Sequence, residues 1–477
     1  MFCPGVPMTA RLIRLDWPDF GAPDCPAPPG AEEMDLRLGS IRVAMDAHGF
    51  DRLVIYGDRE HAANILWATG FDPRFEEAVL IVGPGEALLL AGNECLPYTA
   101  VSPLVASGAI AVGHCASLSL PSQPRGGRRL ADWLADWIPA GARVGAVGWK
   151  WFGPAEVDDP DSALDLPVFL ADPLRAIAGR GAIAGRVVNA TKLFQCPATG
   201  LRSTVTAAEV ARLEFANHMA AAALKRMVFG FREGMTDFAA VEAARIGGLP
   251  LGCHPTFATG ARAEQGLSGP TGQVLRRSSP ISFNICHWGA NICRAGWLAE
   301  GPDDLPEAAQ DYLEVFAGPY LRAMSVWTAL MRPGGMGGDV WAAMQAALPP
   351  GFFNVTLNPG HLIGTDEWLS SPIFEGSGVA LRSGMAMQMD VIPSHPVYGS
   401  TRMEDGYVIA DGELRAEITA RFPAMAARIA GRQAFMREVI GMEVPETLLP
   451  LADTCGIIAP WLLDPGAVLA LPVGTGG

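Results

Sequence analysis

The sequence has no close-spaced cysteines, no excess of basic residues, no apolar run of bilayer-spanning length and no obvious internal repeat. Each absence excludes something. Nine cysteines are scattered singly from Cys3 to Cys455, with no CxxC and an odd total. That argues against a disulfide framework and for reduced thiols in a cytoplasmic protein. Acidic residues outnumber basic ones by 50 to 35, and no charge run concentrates the net −15. This balance argues against nucleic acid as a partner and for a soluble acidic protein. The N-terminus, MFCPGVPMTARLIRLDWPDF, lacks a continuous apolar segment after its basic residues, so it does not read as a secretory signal. The tail CGIIAPWLLDPGAVLALPVG comes nearest to a membrane span, but Asp464 and its prolines interrupt it. No membrane partner is expected. Residues 441–477 read instead as a packed C-terminal arm, suited to a subunit interface.

What is present suits a large globular chain. With 477 residues, 49% of them hydrophobic, one to three domains are expected. Residues 1–30 are rich in Pro and Gly and are expected to be irregular. From Ala31 the apolar spacing of three and four predicts a helix that stops at His48-Gly49. DRLVIYGD then reads as a strand, EHAANILWATGF as a short helix and turn, and EEAVLIVGPGEALLLAG as a hairpin. Strand and helix signals alternate to about residue 195, the pattern of an α/β domain over 31–195. A polar boundary near 196–206 leads into the longest helical pattern, with Thr206 and Glu209 spaced as a capping box. A second helix is predicted from Thr236 or Asp237. Strand-like patterns fill 252–298, and helices are expected over 305–332 and 338–348.

The stretch from Asn358 to Gly406 carries the chemistry. His361 follows Pro-Gly, Asp390 ends the apolar run MAMQM, and Glu404 precedes the strand-like YVIAD. One imidazole and two carboxylates carried into a core on adjacent strands are costly unless paired or metal-bound.

Several pieces, in order, resemble the creatinase, prolidase and aminopeptidase P family. They are Glu209 on its helix, GMTD at 234–237, PTFATG at 255–260, SSPISFNICHWGANICRA, GHLIG at 360–364, LRSGMAMQMDVIP and RMEDGYVIADGELR. ANILWATGF at 63–71 resembles a motif of the family's first domain. The resemblance implies an α/β (α+β) chain: an N-terminal creatinase-like α/β domain, then a C-terminal pita-bread domain over 205–440. It also implies a homodimer acting on a small-molecule substrate.

The departures from the family are specific. Metal-dependent members carry Asp where this chain has Asn284, and again eleven residues on, at Ala295. They carry His at the position of Leu267 or Ser268, and a second His where Trp368 stands. Two bridged divalent cations need several anionic oxygens, so a two-metal centre is not expected. Creatinase, which opens a C–N bond without metal, shares the Asn and Ala substitutions. It uses a His base at Leu267 or Ser268, however, and a Glu near Trp297.

Three readings follow. The first is a metal-independent, creatinase-like hydrolase of a C–N bond in a small amidine, lactam or N-substituted amino acid, with no cofactor. His361, Asp390 and Glu404 would be catalytic, and Asn284, Arg74 and Trp368 would bind substrate. The second is a divergent Xaa-Pro peptidase or lyase with one divalent metal ion at His361, Asp390 and Glu404. The third is a non-catalytic binding protein on a peptidase scaffold. Bland alternatives stand beside each residue. Asp390 could pair with Arg402, and Arg74 with Glu76 or Glu77. Asn284 could be a satisfied inward polar group, and Asp366 and Glu367 could cap a helix. Cys286 shares the Asn284 face of its strand, whereas Cys293 reads as a core thiol and His254 as a core or solvent-facing histidine.

Overall fold

The computed structural model describes residues 10–180 and 186–473. Its contacts divide them into two compact units. One is Ala27–Ser203; the other holds the described residues up to Pro26 and those from Thr204 onward. Residues 1–9, part of the segment expected to be irregular, lie outside the described residues. Among the described residues, no helix is long and apolar enough to cross a membrane.

The Ala27–Ser203 unit is built on a six-stranded sheet. Its strand order is Ala111–His114, Ala87–Ala91, Ala78–Val82, Arg52–Gly57, Val144–Val147, Val187–Asn189. The three strands from Ala87–Ala91 to Arg52–Gly57 pair antiparallel with one another, and the remaining pairings are parallel. Alternation along a strand divides the core into two layers. Leu53, Ile55 and Leu80 pack with Met34, Leu38 and Ile41 of the helix Ala31–Ala47. Val54, Tyr56 and Val79 pack on the other face with Leu134 and Leu170. The first helix ends as expected, with Gly49 at φ 66, a conformation that glycine adopts without strain.

The second unit holds two four-stranded antiparallel sheets. One runs Arg402–Glu404, Ala290–Trp297, Pro280–His287, Phe257–Thr259; the other runs His361–Leu362, Ala386–Gln388, Gly406–Ile409, Leu448–Pro450. The chain passes from the first sheet to the second across the single residue Asp405. Glu404 therefore ends a strand of one sheet where the next strand joins the other. The helix Ala207–Gly230 begins at the expected capping box: Glu209 N–H donates to Thr206 Oγ1 at 3.3 Å, and Thr206 N–H donates to Glu209 Oε2 at 2.8 Å. Its buried face runs through Val210, Leu213, Asn217, Ala220, Ala221 and Leu224.

Two expectations differ from what is observed. Over 305–332, regular α-helix spans only Gly318–Leu330, after a single π-helical turn at Leu313–Ala317. Pro319 sits in the first turn of that helix, where its missing N–H leaves no gap in the hydrogen-bond ladder. The N-terminal segment is not wholly irregular: Arg11–Arg14 pairs antiparallel with Ala467–Ala470. That pairing, with buried Trp461, Val468 and Leu469, packs the last segment into the second unit's core.

The capping box gives a direct stability test. Thr206→Ala removes the acceptor for one otherwise orphaned N–H, and urea unfolding should show a loss of ~1 kcal/mol.

Candidate functional site

The site forms where the two sheets of the second unit meet. His361 opens the short strand His361–Leu362 and is fully buried. Gly360 before it has φ 117, and a Cβ there would lie 3.0 Å from Gln388 O and 3.1 Å from the Trp327 ring. Glycine thus lets the backbone press against the neighbouring strand. Residues 363–369 then fold back, closed by Leu362 N–H to Ser370 O at 2.7 Å and Leu369 N–H to Leu362 O at 3.0 Å. The fold-back brings two side chains to the imidazole. Trp368 stacks on it, with ring centroids 4.2 Å apart at 24°. Glu367 Oε1 lies 3.5 Å from His361 Nε2.

Asp390 follows the strand Ala386–Gln388 and places Oδ2 3.7 Å from the same nitrogen. Both separations exceed a hydrogen bond. His361 Nδ1 lies 3.1 Å from Leu362 O, but Nε2 has no hydrogen-bond partner among the described residues, and neither has Asp390 Oδ1. Two buried polar atoms therefore stand unsatisfied side by side, an arrangement that ordinarily needs a reason.

Glu404 reaches the same place from the other sheet. Its Oε1 accepts hydrogen bonds from Asn291 Nδ2 at 3.0 Å and from Gln388 Nε2 at 3.2 Å. Asn291 Nδ2 also donates to Glu367 Oε1 at 3.2 Å. Asn291 Oδ1 accepts from Asn284 Nδ2 at 2.9 Å, and Asn284 Oδ1 accepts from Thr256 N–H at 2.7 Å. One chain of amides thus runs from the backbone at Thr256 to both glutamates. Asn284 was expected to hold substrate, but both of its polar atoms are engaged within the protein.

The hairpin register explains which residues take part. Asn284 lies opposite Cys293, and Cys286 opposite Asn291, so all four share one face. Cys293 in turn lies opposite Glu404. Ala295, assigned by the resemblance to a missing carboxylate position, lies opposite Arg402, one pleat beyond Glu404. Asn291 is the hairpin residue that touches the glutamates.

Electrostatics separates the four ionisable groups. Burial opposes the His361 imidazolium, but Glu367 and then Asp390 outweigh it, holding the histidine above its usual pKa. Burial likewise opposes the Glu367 charge, yet His361 and the Asn291 amide draw it below the usual carboxylate range. Burial, joined by the Glu367 charge and opposed by His361 and Arg402, pushes Asp390 up to about 6. Glu404 is raised well above its ordinary value by burial and by the nearby Asp390. The surroundings thus favour the charged forms of His361 and Glu367 and the neutral forms of Asp390 and Glu404. As for metals, single ligand atoms of His361, Glu367 and Glu404 lie within 4.8 Å of one another. The trio expected from sequence had Asp390 in place of Glu367.

Arg402 directs its guanidinium to Ser400 Oγ at 3.3 Å and Cys293 Sγ at 3.5 Å. Trp297 is core, edge-on to Tyr312. His254 Nε2 lies 3.1 Å from Leu267 O, and Leu267 itself is exposed. Arg74 belongs to the Ala27–Ser203 unit, where it pairs with Asp72 at 3.1 Å and lies over the Tyr98 ring. Glu76 and Glu77, the alternative partners, accept instead from the Cys95 N–H at 2.9 Å and from the Tyr56 hydroxyl.

No protein-family model matches this chain, and no curated protein does. Solved structures do. The prolidase of Pyrococcus horikoshii superposes with TM-score 0.60 at 13% identity, over 79% of this chain and 95% of that one. Dipeptidase PepE of Mycobacterium ulcerans gives TM-score 0.60 at 19% identity, over 80% and 95%. The fold is the pita-bread fold of prolidases and dipeptidases. The same comparison finds the N-terminal domain of a FACT complex subunit from Cicer arietinum, with TM-score 0.56 at 13% identity, over 80% and 94%. A shared fold therefore does not fix the activity, which has to be argued from the site.

Glu367, Asn291 and Gln388 were not assigned to the site from sequence. For Glu367 the signal was its place six residues after His361, on a loop short enough to return.

The raised Asp390 pKa has a signed consequence. Between pH 4 and 6 the unfolded chain ionises this residue while the folded chain keeps it protonated, so folded-state stability falls as pH rises. In chelator-treated protein, Asp390→Asn should match the wild type near pH 4 and exceed it by ~3 kcal/mol above the folded pKa. Urea unfolding across that range measures the difference.

Proposed function

We propose that this chain is a hydrolase that opens a C–N bond in a small substrate by metal-independent acid–base chemistry at His361, Asp390 and Glu404. One observation carries the reading: His361 Nε2 and Asp390 Oδ1 are buried, adjacent and unpartnered. They offer a proton donor and a proton acceptor to something outside the protein. Asp390 takes a proton from the attacking water. The His361 imidazolium, held by Glu367, gives one to the departing nitrogen. Glu404, kept neutral by burial, donates to the oxygen that gains charge. Asn291 and Gln388 fix Glu404, Asn284 fixes Asn291, and Trp368 covers the imidazole with a half-exposed ring. The substrate class is a small amidine, lactam or N-substituted amino acid, and the protein works as a cytoplasmic homodimer.

The test is hydrolysis of a panel of these compounds and of Xaa-Pro dipeptides, before and after exhaustive chelation. Turnover should survive chelation. Glu404→Gln should lower kcat by ~10²- to 10⁴-fold with an unchanged circular dichroism spectrum. Full activity in that variant would end the proposal.

The convergence of His361, Glu367 and Glu404 favours a second reading, a divergent Xaa-Pro peptidase with a single divalent ion. These residues would hold the ion, which when bound would polarise the scissile carbonyl and acidify a water. Elemental analysis separates the two readings: about one metal per purified chain supports the second, and a chain that is active without metal supports the first.

A further inference from the structure

Two thiols beside the amide chain are used by neither reading. Cys253 is half-buried and Cys286 is buried. Gly252 N–H donates to Cys286 O at 3.3 Å, and a Cβ on Gly252 would stand only 2.7 Å from Cys286 Sγ. The residue next to Cys253 therefore presses directly on the Cys286 sulfur. The chain bends at 252–253, and the Cys253 side chain turns back over the same face. There its sulfur accepts a hydrogen bond from Asn284 Nδ2 at 3.4 Å. Asn284 and Cys286 are two residues apart on one strand, so their side chains share that face. Both sulfurs thus lie against the same small patch.

From this geometry we infer that Cys253 and Cys286 form a peroxide-sensitive dithiol site, closing to a disulfide at the edge of the amide chain. The inference depends on neither reading of the reaction. The roles follow from exposure and environment. Cys253 is the sulfur that a small hydroperoxide can reach. Its hydrogen bond from Cys286, against the burial that opposes charge, and the one from Asn284 hold its pKa below the usual thiol value. Those donors favour the reactive thiolate. Cys286 keeps its proton, its pKa raised by the contact with Cys253 and by burial. The Cys253 thiolate attacks the peroxide, breaking the O–O bond to give a sulfenic acid and hydroxide. The Cys286 sulfur then displaces the sulfenic oxygen as water, forming the S–S bond. Two thiols lose two electrons, and one hydroperoxide is reduced. Closure ties up the Cys253 sulfur that accepts from Asn284 Nδ2, the first side-chain donor of the chain leading to Glu367 and Glu404.

The test uses full-length protein and hydrogen peroxide at low molar excess. Thiol titration under denaturing conditions should show two fewer free thiols per chain, restored by dithiothreitol. Tryptic mapping should join the peptide 246–262 to the peptide 278–294. In Cys286→Ser the linked peptide should vanish, and dimedone should label Cys253 as the trapped sulfenic acid. A link that persists in Cys286→Ser would assign the partner to Cys293 and overturn the pairing. Retention of both thiols in the wild type, or a linkage mapped to other cysteines, would overturn the site itself.

Discussion

A single amide nitrogen holds the centre of this structure together. Asn291 Nδ2 donates to Glu367 Oε1, on the loop after His361–Leu362, and to Glu404 Oε1, at the end of a strand of the other sheet. Two buried carboxyl groups this close repel if both ionise and demand donors whether or not they do. A neutral amide supplies donors without supplying charge. The cluster's charge is therefore met from within: the His361–Glu367 pair is favoured in its charged form, and Glu404 in its protonated one. A carboxylate at position 291 would reverse the balance, adding charge and removing the donor at once. The amide at Asn284 repeats the arrangement one step further out, so the whole line from Thr256 inward is built of neutral donors.

This explains what the sequence shows and what it hides. Features that depend on near neighbours along the chain are legible. The capping box at Thr206 and Glu209, the helix ending at His48-Gly49 and the hairpin Ala78–Val82 with Ala87–Ala91 all follow from spacing alone. His361, Asp390 and Glu404 were singled out because ionisable groups in apolar runs are expensive. The structure places His361 beside Asp390, and Glu404 in the same cluster. What stays hidden depends on register. Counting eleven residues from Asn284 leads to Ala295. The hairpin turns tightly at Trp288-Gly289, however, and sets Asn291 beside the glutamates. Glu367 is hidden for a related reason: its role depends on how residues 363–369 fold back, which no periodicity encodes. The strand Arg11–Arg14 is hidden because its partner lies more than 450 residues away.

Saturation distinguishes the candidate site from other buried charge. Glu404 and Asp405 are neighbours in sequence and both fully buried, yet they point to opposite faces and meet opposite environments. Asp405 Oδ2 accepts from Arg294 Nη2 at 2.7 Å, and its Oδ1 accepts from Thr454 Oγ1 at 2.7 Å. Arg294 also donates to Ile457 O, Thr454 O, Cys293 O and Glu404 O. Each guanidinium nitrogen and both carboxylate oxygens are engaged, so the pair holds the crossing between the sheets and offers nothing to a ligand. On the other face of that crossing, His361 Nε2 and Asp390 Oδ1 have ion-pair neighbours but no hydrogen bonds. One acid is satisfied completely, while His361 Nε2, Asp390 Oδ1 and Gln388 Oε1 around the next are left open. Mere loss of family ligands would not produce that contrast. A decaying site is free to lose its buried charges to apolar side chains of similar size, which are often no less stable. Here the charges remain, arranged around open atoms.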